Sequence, residues 1–284
     1  MNVQGIIALD IDGTTAPMGE KISKSVSEYL DRVHEEGWKI IFITGRSFSM
    51  TQETLQLLSF DYYLALNNGA IILHMPTGEI LFQHYLDSSC LEEIHSIASH
   101  HNLGFVIYAG YGEHRDVCFY DPNLFQEPMR DYLQERRRMF TETWRPVDNI
   151  LKVPITSFAS IKFFGRGSKM HQLAEDLEKK LDFHAPVNKD PFNEDYFVVQ
   201  VTAQTVNKGK ALFELKQSLG HEHLPVIAVG DDRNDIEMLR EATHKVAIKG
   251  APEELIAIAD YLIDRRDDQA FINQLNQILK QQNG

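Results

Sequence analysis

Apolar positions along the chain fall into two kinds of segment. Gly5-Ile6-Ile7-Ala8-Leu9, Ile40-Ile41-Phe42-Ile43 and the stretch from Tyr62 to Leu66 are short continuous apolar runs, the pattern of strands covered on both faces within a parallel sheet. Between the first two, Ile22, Val26, Tyr29, Leu30 and Val33 recur at helical spacing, and Gly37 is placed to stop that helix. The rhythm returns late in the chain. Val226-Ile227-Ala228-Val229, Lys245 to Ile248 and Tyr261 to Ile263 read as buried strands. Ile236, Leu239 and Ala242 mark a helix after the first of them, and Pro252 is placed to open another. This alternation predicts an α/β fold built on a doubly wound parallel sheet.

The middle of the chain breaks the rhythm. Phe105 to Tyr108, Val117 to Tyr120 and Phe158 to Phe164 look like strands set among helices, with exits near Pro186 and Pro191. Because parallel-strand signals flank this region on both sides, it is expected to be an α+β domain inserted into the first. Residues 1–84 and 192–284 would form the core and residues 85–191 the insertion. No fixed-period repeat or low-complexity segment interrupts this plan.

Bulk properties narrow the function classes. The 284 residues include 28 Lys plus Arg against 41 Asp plus Glu, a formal charge of −13. Such a field opposes nonspecific binding to nucleic acid or anionic membranes. A phosphorylated ligand would have to be captured by a few placed cations or by a bound metal. Cys90 and Cys118 are the only cysteines, so no disulfide framework exists and a reducing, cytoplasmic setting is expected. No apolar stretch of about 18 residues suggests a membrane span.

The candidate chemistry sits at strand ends. Asp10 and Asp12 follow the first buried run, and Gly13 permits a turn that could aim both carboxylates into the crevice beyond the sheet. An ordinary aspartate-glycine turn is the competing reading. The segment Asp10-Ile11-Asp12-Gly13-Thr14 resembles the first motif of the haloacid dehalogenase superfamily, specifically its phosphohydrolases. The superfamily's remaining motifs then have counterparts in order. Thr44-Gly45-Arg46-Ser47 ends the second buried strand, Asn207-Lys208-Gly209-Lys210 precedes the last part of the core, and Gly230-Asp231-Asp232-Arg233-Asn234-Asp235 follows a later strand. Taken alone, Thr44 could be a helix cap, Lys208 a solvated surface residue, and the acidic cluster a capped helix start. Three acids in five residues exceed what capping needs, and a bound cation relieves their repulsion most simply. The insertion resembles the α+β cap of the Cof-type branch, as does Asn68-Gly69-Ala70 ahead of it. Asp232 departs from that branch, which usually carries a small residue there.

The resemblance implies a Mg²⁺-dependent phosphatase acting on a small phosphorylated metabolite, a sugar phosphate in particular, and it specifies no oligomeric state. It assigns Asp10 as nucleophile and Asp12 as general acid and base. Asp10 and Asp231 would ligate the metal through their side chains and Asp12 through its backbone carbonyl, with Asp235 acting from behind them or through water. Thr44, Lys208 and Asn234 would hold the phosphoryl oxygens, and Gly45 would offer a backbone amide. A phosphosugar mutase on the same scaffold and a noncatalytic regulatory protein retaining the fold are the alternatives. Three other features carry less. Gly165-Arg166-Gly167-Ser168-Lys169 lacks the spacing of a P-loop, and His221-Glu222-His223 lacks that of a metalloprotease pair. Arg136-Arg137-Arg138 reads first as a solvated helix face, with an anionic substrate as the alternative, and Glu113 to Asp116 as an exposed hairpin turn, with a specificity loop as the alternative.

Overall fold

The computed structural model describes residues 3–139, 141–190, 192–265 and 267–282. Eight strands form the first sheet, in the order Tyr261–Ile263, His244–Ile248, Val226–Gly230, Gly5–Leu9, Trp38–Ile43, Tyr62–Leu66, Ile71–Met75, Glu79–Gln83. The first six run parallel, and the last two return as an antiparallel edge that the periodicity did not single out. Within the first strand, Ile7 and Leu9 join one buried cluster while Ile6 and Ala8 join another on the opposite face, as the two-residue period of a strand requires. Helices Lys24–Glu35 and Asp268–Gln282 cover the first face, and helix Lys208–Ser218 covers the second. Apolar layers on both faces explain why these strands read as unbroken hydrophobic runs. The fold is the expected α/β doubly wound sheet.

The Gly5–Leu9 strand occupies the switch point of this sheet. The chain leaves it for Trp38–Ile43 on one side, and much later returns as Val226–Gly230 on the other. Loops after these strands therefore diverge, leaving a crevice at the carboxyl end. Asp10, Thr44 and Asp231 all follow such strand ends.

A second sheet runs Phe183–His184, Phe197–Ala203, Ser160–Gly165, Phe105–Tyr108, Val117–Tyr120, Thr143–Pro146, with Val187–Lys189 also paired to Phe197–Ala203. One face is covered by helices Leu91–His100 and Ser168–Leu181. The other carries Val106, Tyr108, Phe164 and Val198, packed with Tyr132 and Trp144. Because Phe197–Ala203 pairs with Ser160–Gly165, we place the chain's return to the first sheet after residue 203 rather than at 192. Pro191 itself lies outside the described residues. Among the described residues, no helix is long and apolar enough to cross a membrane.

Candidate active site

Backbone bonding fixes the first motif before any side chain is considered. The Asp10 N–H donates to the Val229 carbonyl (3.0 Å), extending the ladder past the strand end and holding Asp10 beside Gly230 and Asp231. Residues 11–16 then close a small loop through Gly13 N–H to the Ala16 carbonyl and Ala16 N–H to the Ile11 carbonyl, both 2.9 Å. Gly13 has φ +76°, and a Cβ there would run into the Asp231 carboxylate. Both backbone conformation and space therefore require glycine. Thr14 donates to Asp231 (3.1 Å) and Thr15 to the Asp10 carbonyl (2.6 Å). From beyond the last strand, Arg265 reaches the Thr14 and Thr15 carbonyls.

Lys208 is the first residue of its helix, with Asn207 as cap accepting from Lys210 N–H (2.8 Å). A helix N-terminus is an unfavourable place for a cation, and Lys208 is only 1% exposed. Two carboxylates overcome this. The ammonium donates to Asp10 and, at 2.6 Å, to Asp235. Asp235 is wholly buried and held from both sides, because its second oxygen accepts from the backbone N–H groups of Asp231 (2.9 Å) and Asp232 (3.0 Å). Asp232 caps the same turn in a reciprocal capping box with Asp235, so this departure from the branch pattern serves local geometry while still lining the cavity.

Burial, helped by Asp235 and Asp12 and opposed by Lys208, pushes the Asp10 carboxyl up to about 7. Burial together with Asp10 and Asp235 drives Asp231 well above the ordinary carboxylate range. Carboxylate oxygens of Asp10, Asp231 and Asp235 lie within 4.8 Å of one another. Such an all-oxygen donor set, short of positive charge, fits a hard divalent cation. Asp235 already accepts three hydrogen bonds, so Asp10 and Asp231 are the less engaged members of the set.

Thr44 is buried, accepts from Arg46 N–H (3.2 Å), and receives Asn68 N–H on its carbonyl (2.8 Å). Asn67 and Asn68 adopt φ +50° and +59°, conformations that asparagine tolerates better than most residues. The turn brings the Asn68 side chain to Asn234 (3.2 Å). Gly45 has no room for a side chain, since a Cβ would lie 2.9 Å from Gln200 Oε1. One cavity is lined by Asp10, Asp12, Thr44, Gly45, Asp231 and Asn234, while Lys208 and Asp235 sit immediately behind it. The residues expected from the sequence are thus gathered in one place.

Several residues had no role assigned from the sequence. Arg46 grips Asp12 with two nitrogens, Nε donating to Oδ2 at 2.6 Å and Nη2 to Oδ1, and also donates to Thr54. Arg136 is 4% exposed, pairs with Asp190 at 3.4 Å and stacks between Phe164 and Phe192. The expected solvated face is therefore corrected at its first arginine, because the helix turns that residue inward. Asp116 accepts from Ser49 N–H (3.0 Å), so the Glu113 to Asp116 turn reaches the first sheet's loops. Ser47 with Glu142 (2.6 Å) and Ser160 with Asn67 (2.9 Å) add further links across the crevice.

A family model for haloacid dehalogenase-like hydrolases matches residues 7–275. The chain belongs to the haloacid dehalogenase-like hydrolases. It is therefore a hydrolytic enzyme of this family. A similar curated protein, the HMP-PP phosphatase of Cronobacter sakazakii, is 24% identical over 258 residues, covering 90% of this chain and 88% of that one. The 5-amino-6-(5-phospho-D-ribitylamino)uracil phosphatase of Bacillus subtilis is 22% identical, covering 91% and 89%. Among solved structures, a haloacid dehalogenase-like hydrolase from Bacteroides thetaiotaomicron superposes with a TM-score of 0.74 at 21% identity, covering 95% and 99%. A subclass IIB sugar phosphatase of the same superfamily gives 0.72 at 19%, covering 96% and 98%. At these identities the structural likeness establishes a shared fold.

Proposed function

We propose that this hydrolase is a Mg²⁺-dependent phosphatase of a small phosphorylated metabolite, working through an aspartyl phosphate on Asp10. The observation that carries this reading is the contact of Asp10 with buried Lys208, inside a cluster of carboxylates that a hard cation would neutralise. Asp10 and Asp231 would hold the metal with the Asp12 backbone carbonyl, which accepts no hydrogen bond from the described residues. When bound, the metal supplies positive charge to the phosphoryl oxygens and favours the ionised form of Asp10.

The chain's own groups account for the rest. Asp10 attacks phosphorus as the bond to the leaving oxygen breaks, and Asp12 delivers a proton to that oxygen. In the second step Asp12 takes the proton from water, whose oxygen displaces Asp10 from phosphorus. Arg46 donates to both Asp12 oxygens and fixes the plane of the carboxylate, and Gly19 N–H also donates to Oδ1 at 3.3 Å, which leaves the second lone pair of Oδ2 to carry the proton. Lys208, Thr44 and Asn234 receive the phosphoryl oxygens, and Lys208 adds a fixed charge that needs no reorganisation during reaction. Contacts across the crevice exclude water from the first step.

Purified protein is expected to release inorganic phosphate from an aryl phosphate with Mg²⁺, to lose that activity in EDTA, and to regain it on readdition of Mg²⁺. Full turnover in EDTA would remove the metal from the account. Acceptance of a sugar bisphosphate without phosphate release would favour a mutase.

The raised Asp10 carboxyl has a separate consequence for stability. Its folded value, about 7, exceeds the ordinary 3.8, so the folded protein holds this proton more tightly than the unfolded chain. The resulting stabilisation is complete below the ordinary value and is lost as pH climbs toward 7. Asp10→Asn escapes this loss. In EDTA, the Tm of Asp10→Asn minus that of the wild type is expected to widen from about pH 5 to pH 7, and Mg²⁺ should narrow it. A difference that stays flat with pH would contradict the assigned burial of charge.

A further inference from the structure

The cavity has an acidic floor and a basic roof. Asp10, Asp12, Asp231 and Asp232 line it from the first sheet, whereas the second sheet and its loops contribute Arg136, Lys162, Lys189, Asn188 and Gln200 and no carboxylate. Arg46 is satisfied by Asp12 and Arg136 by Asp190. Lys189 is exposed. Lys162 is different: it is 5% exposed, and no carboxylate among the described residues comes within ion-pair distance of it. Its ammonium donates to the Gly45 carbonyl at 2.9 Å and lies 4.5 Å from the centroid of the Tyr108 ring.

A buried ammonium whose direct contacts are a carbonyl and a ring face is costly, typically several kcal/mol before compensation. Burial, reinforced by Arg136 and only partly offset by Glu142 and Asp190 beyond ion-pair distance, lowers Lys162 to about 8. Strand register explains how the residue comes to be there. Lys162 lies directly opposite Gln200 on the neighbouring strand, so both side chains leave the same face of the sheet, and both converge on Gly45. Gly45 adjoins Thr44, which places this pair beside the phosphoryl site. The phosphoryl group has Lys208 and the metal to meet its charge, and Lys162 is surplus to that need. Elsewhere on the same cavity wall, the Asn188 side-chain oxygen is buried without a partner and suits a hydroxyl.

We propose that Lys162 and Gln200 form the leaving-group subsite and bind a second anionic group, a carboxylate or a second phosphate, carried by the phosphate monoester. This inference rests on the phosphatase reading above and names the class of its substrate. The test uses matched pairs with Mg²⁺: phosphoglycerate against glycerol 2-phosphate for the carboxylate, and fructose bisphosphate against fructose 6-phosphate for the second phosphate. An aryl phosphate serves as control. The wild type should prefer the doubly anionic member of at least one pair by about tenfold or more in kcat/KM, and the pair that responds identifies the anion. In Lys162→Met that ratio should fall to within about twofold of unity, whatever the absolute rate, because the charge that discriminates is gone.

Hydrolysis of the aryl phosphate with no preference in either pair overturns the subsite and leaves the phosphatase reading standing. A preference that survives in Lys162→Met also overturns it. Failure on every substrate overturns the phosphatase reading. The subsite is then judged by calorimetric binding of the same pairs, where equal affinity within each pair counts against it.

Discussion

Replacing Asp10 with Asn is expected to lower kcat by at least about 10⁴-fold while leaving the protein folded, because loss of a covalent nucleophile removes the pathway rather than weakening a contact. Asparagine matches aspartate in size, and the backbone bonds that hold the residue, its N–H to Val229 and its carbonyl from Thr15, do not involve the side chain. The fold should even gain from the change when no metal is bound, since the Asp10 carboxylate is disfavoured by burial. Near-wild-type kcat in Asp10→Asn would refute its role. Loss of the folded circular dichroism signal would refute the claim that the side chain is dispensable to the structure. Both are read on one preparation.

Lys208→Met should damage stability and turnover together. Its ammonium is shared between Asp10 and Asp235 in a site with almost no solvent, and removing one partner of a buried ionic network typically costs about 3 to 5 kcal/mol. Protonation of Asp10 would soften that loss, whereas Asp235 would keep only its two backbone N–H donors. For turnover, losing a preorganised cation at the phosphoryl oxygens should cost about 10² to 10³ in kcat. Thermal unfolding and steady-state kinetics on the same variant measure both. Unchanged Tm would mean that the ammonium is solvated in solution, and unchanged kcat would mean that it does not face the transferring group.

Much of the core was legible because its information is local. A strand buried on both faces writes itself as four or five consecutive apolar residues, and the chemistry follows at the residue where the strand stops. Asp10, Thr44 and Asp231 were found in that way, and Lys208 through its place in the motif order. The insertion was harder. Phe197–Ala203 reads FVVQVTA, a good strand, yet its position after Pro191 drew it toward the core, and only pairing with Ser160–Gly165 shows which sheet it completes. The same strands carry a further local signal. Gln200 between valines and Lys162 between isoleucine and phenylalanine are polar residues inside apolar runs, and such residues need a stated reason for burial. Arg136 was obscured by its neighbours Arg137 and Arg138, since a run of three like charges suggests solvent while the helix turns the first inward. Arg46 stood within a quoted motif, but its grip on Asp12 depends on a loop 34 residues away in sequence, and no local pattern records that contact.

If Asp10 is the nucleophile, it is phosphorylated during turnover. Wild-type protein mixed with a good substrate and Mg²⁺, quenched in acid within the first turnovers and digested for mass spectrometry, tests it directly. The expected result is a transient phosphoryl adduct on the peptide containing Asp10 that decays as free phosphate appears. Release of phosphate without any adduct at Asp10, or with an adduct on another residue, would contradict it.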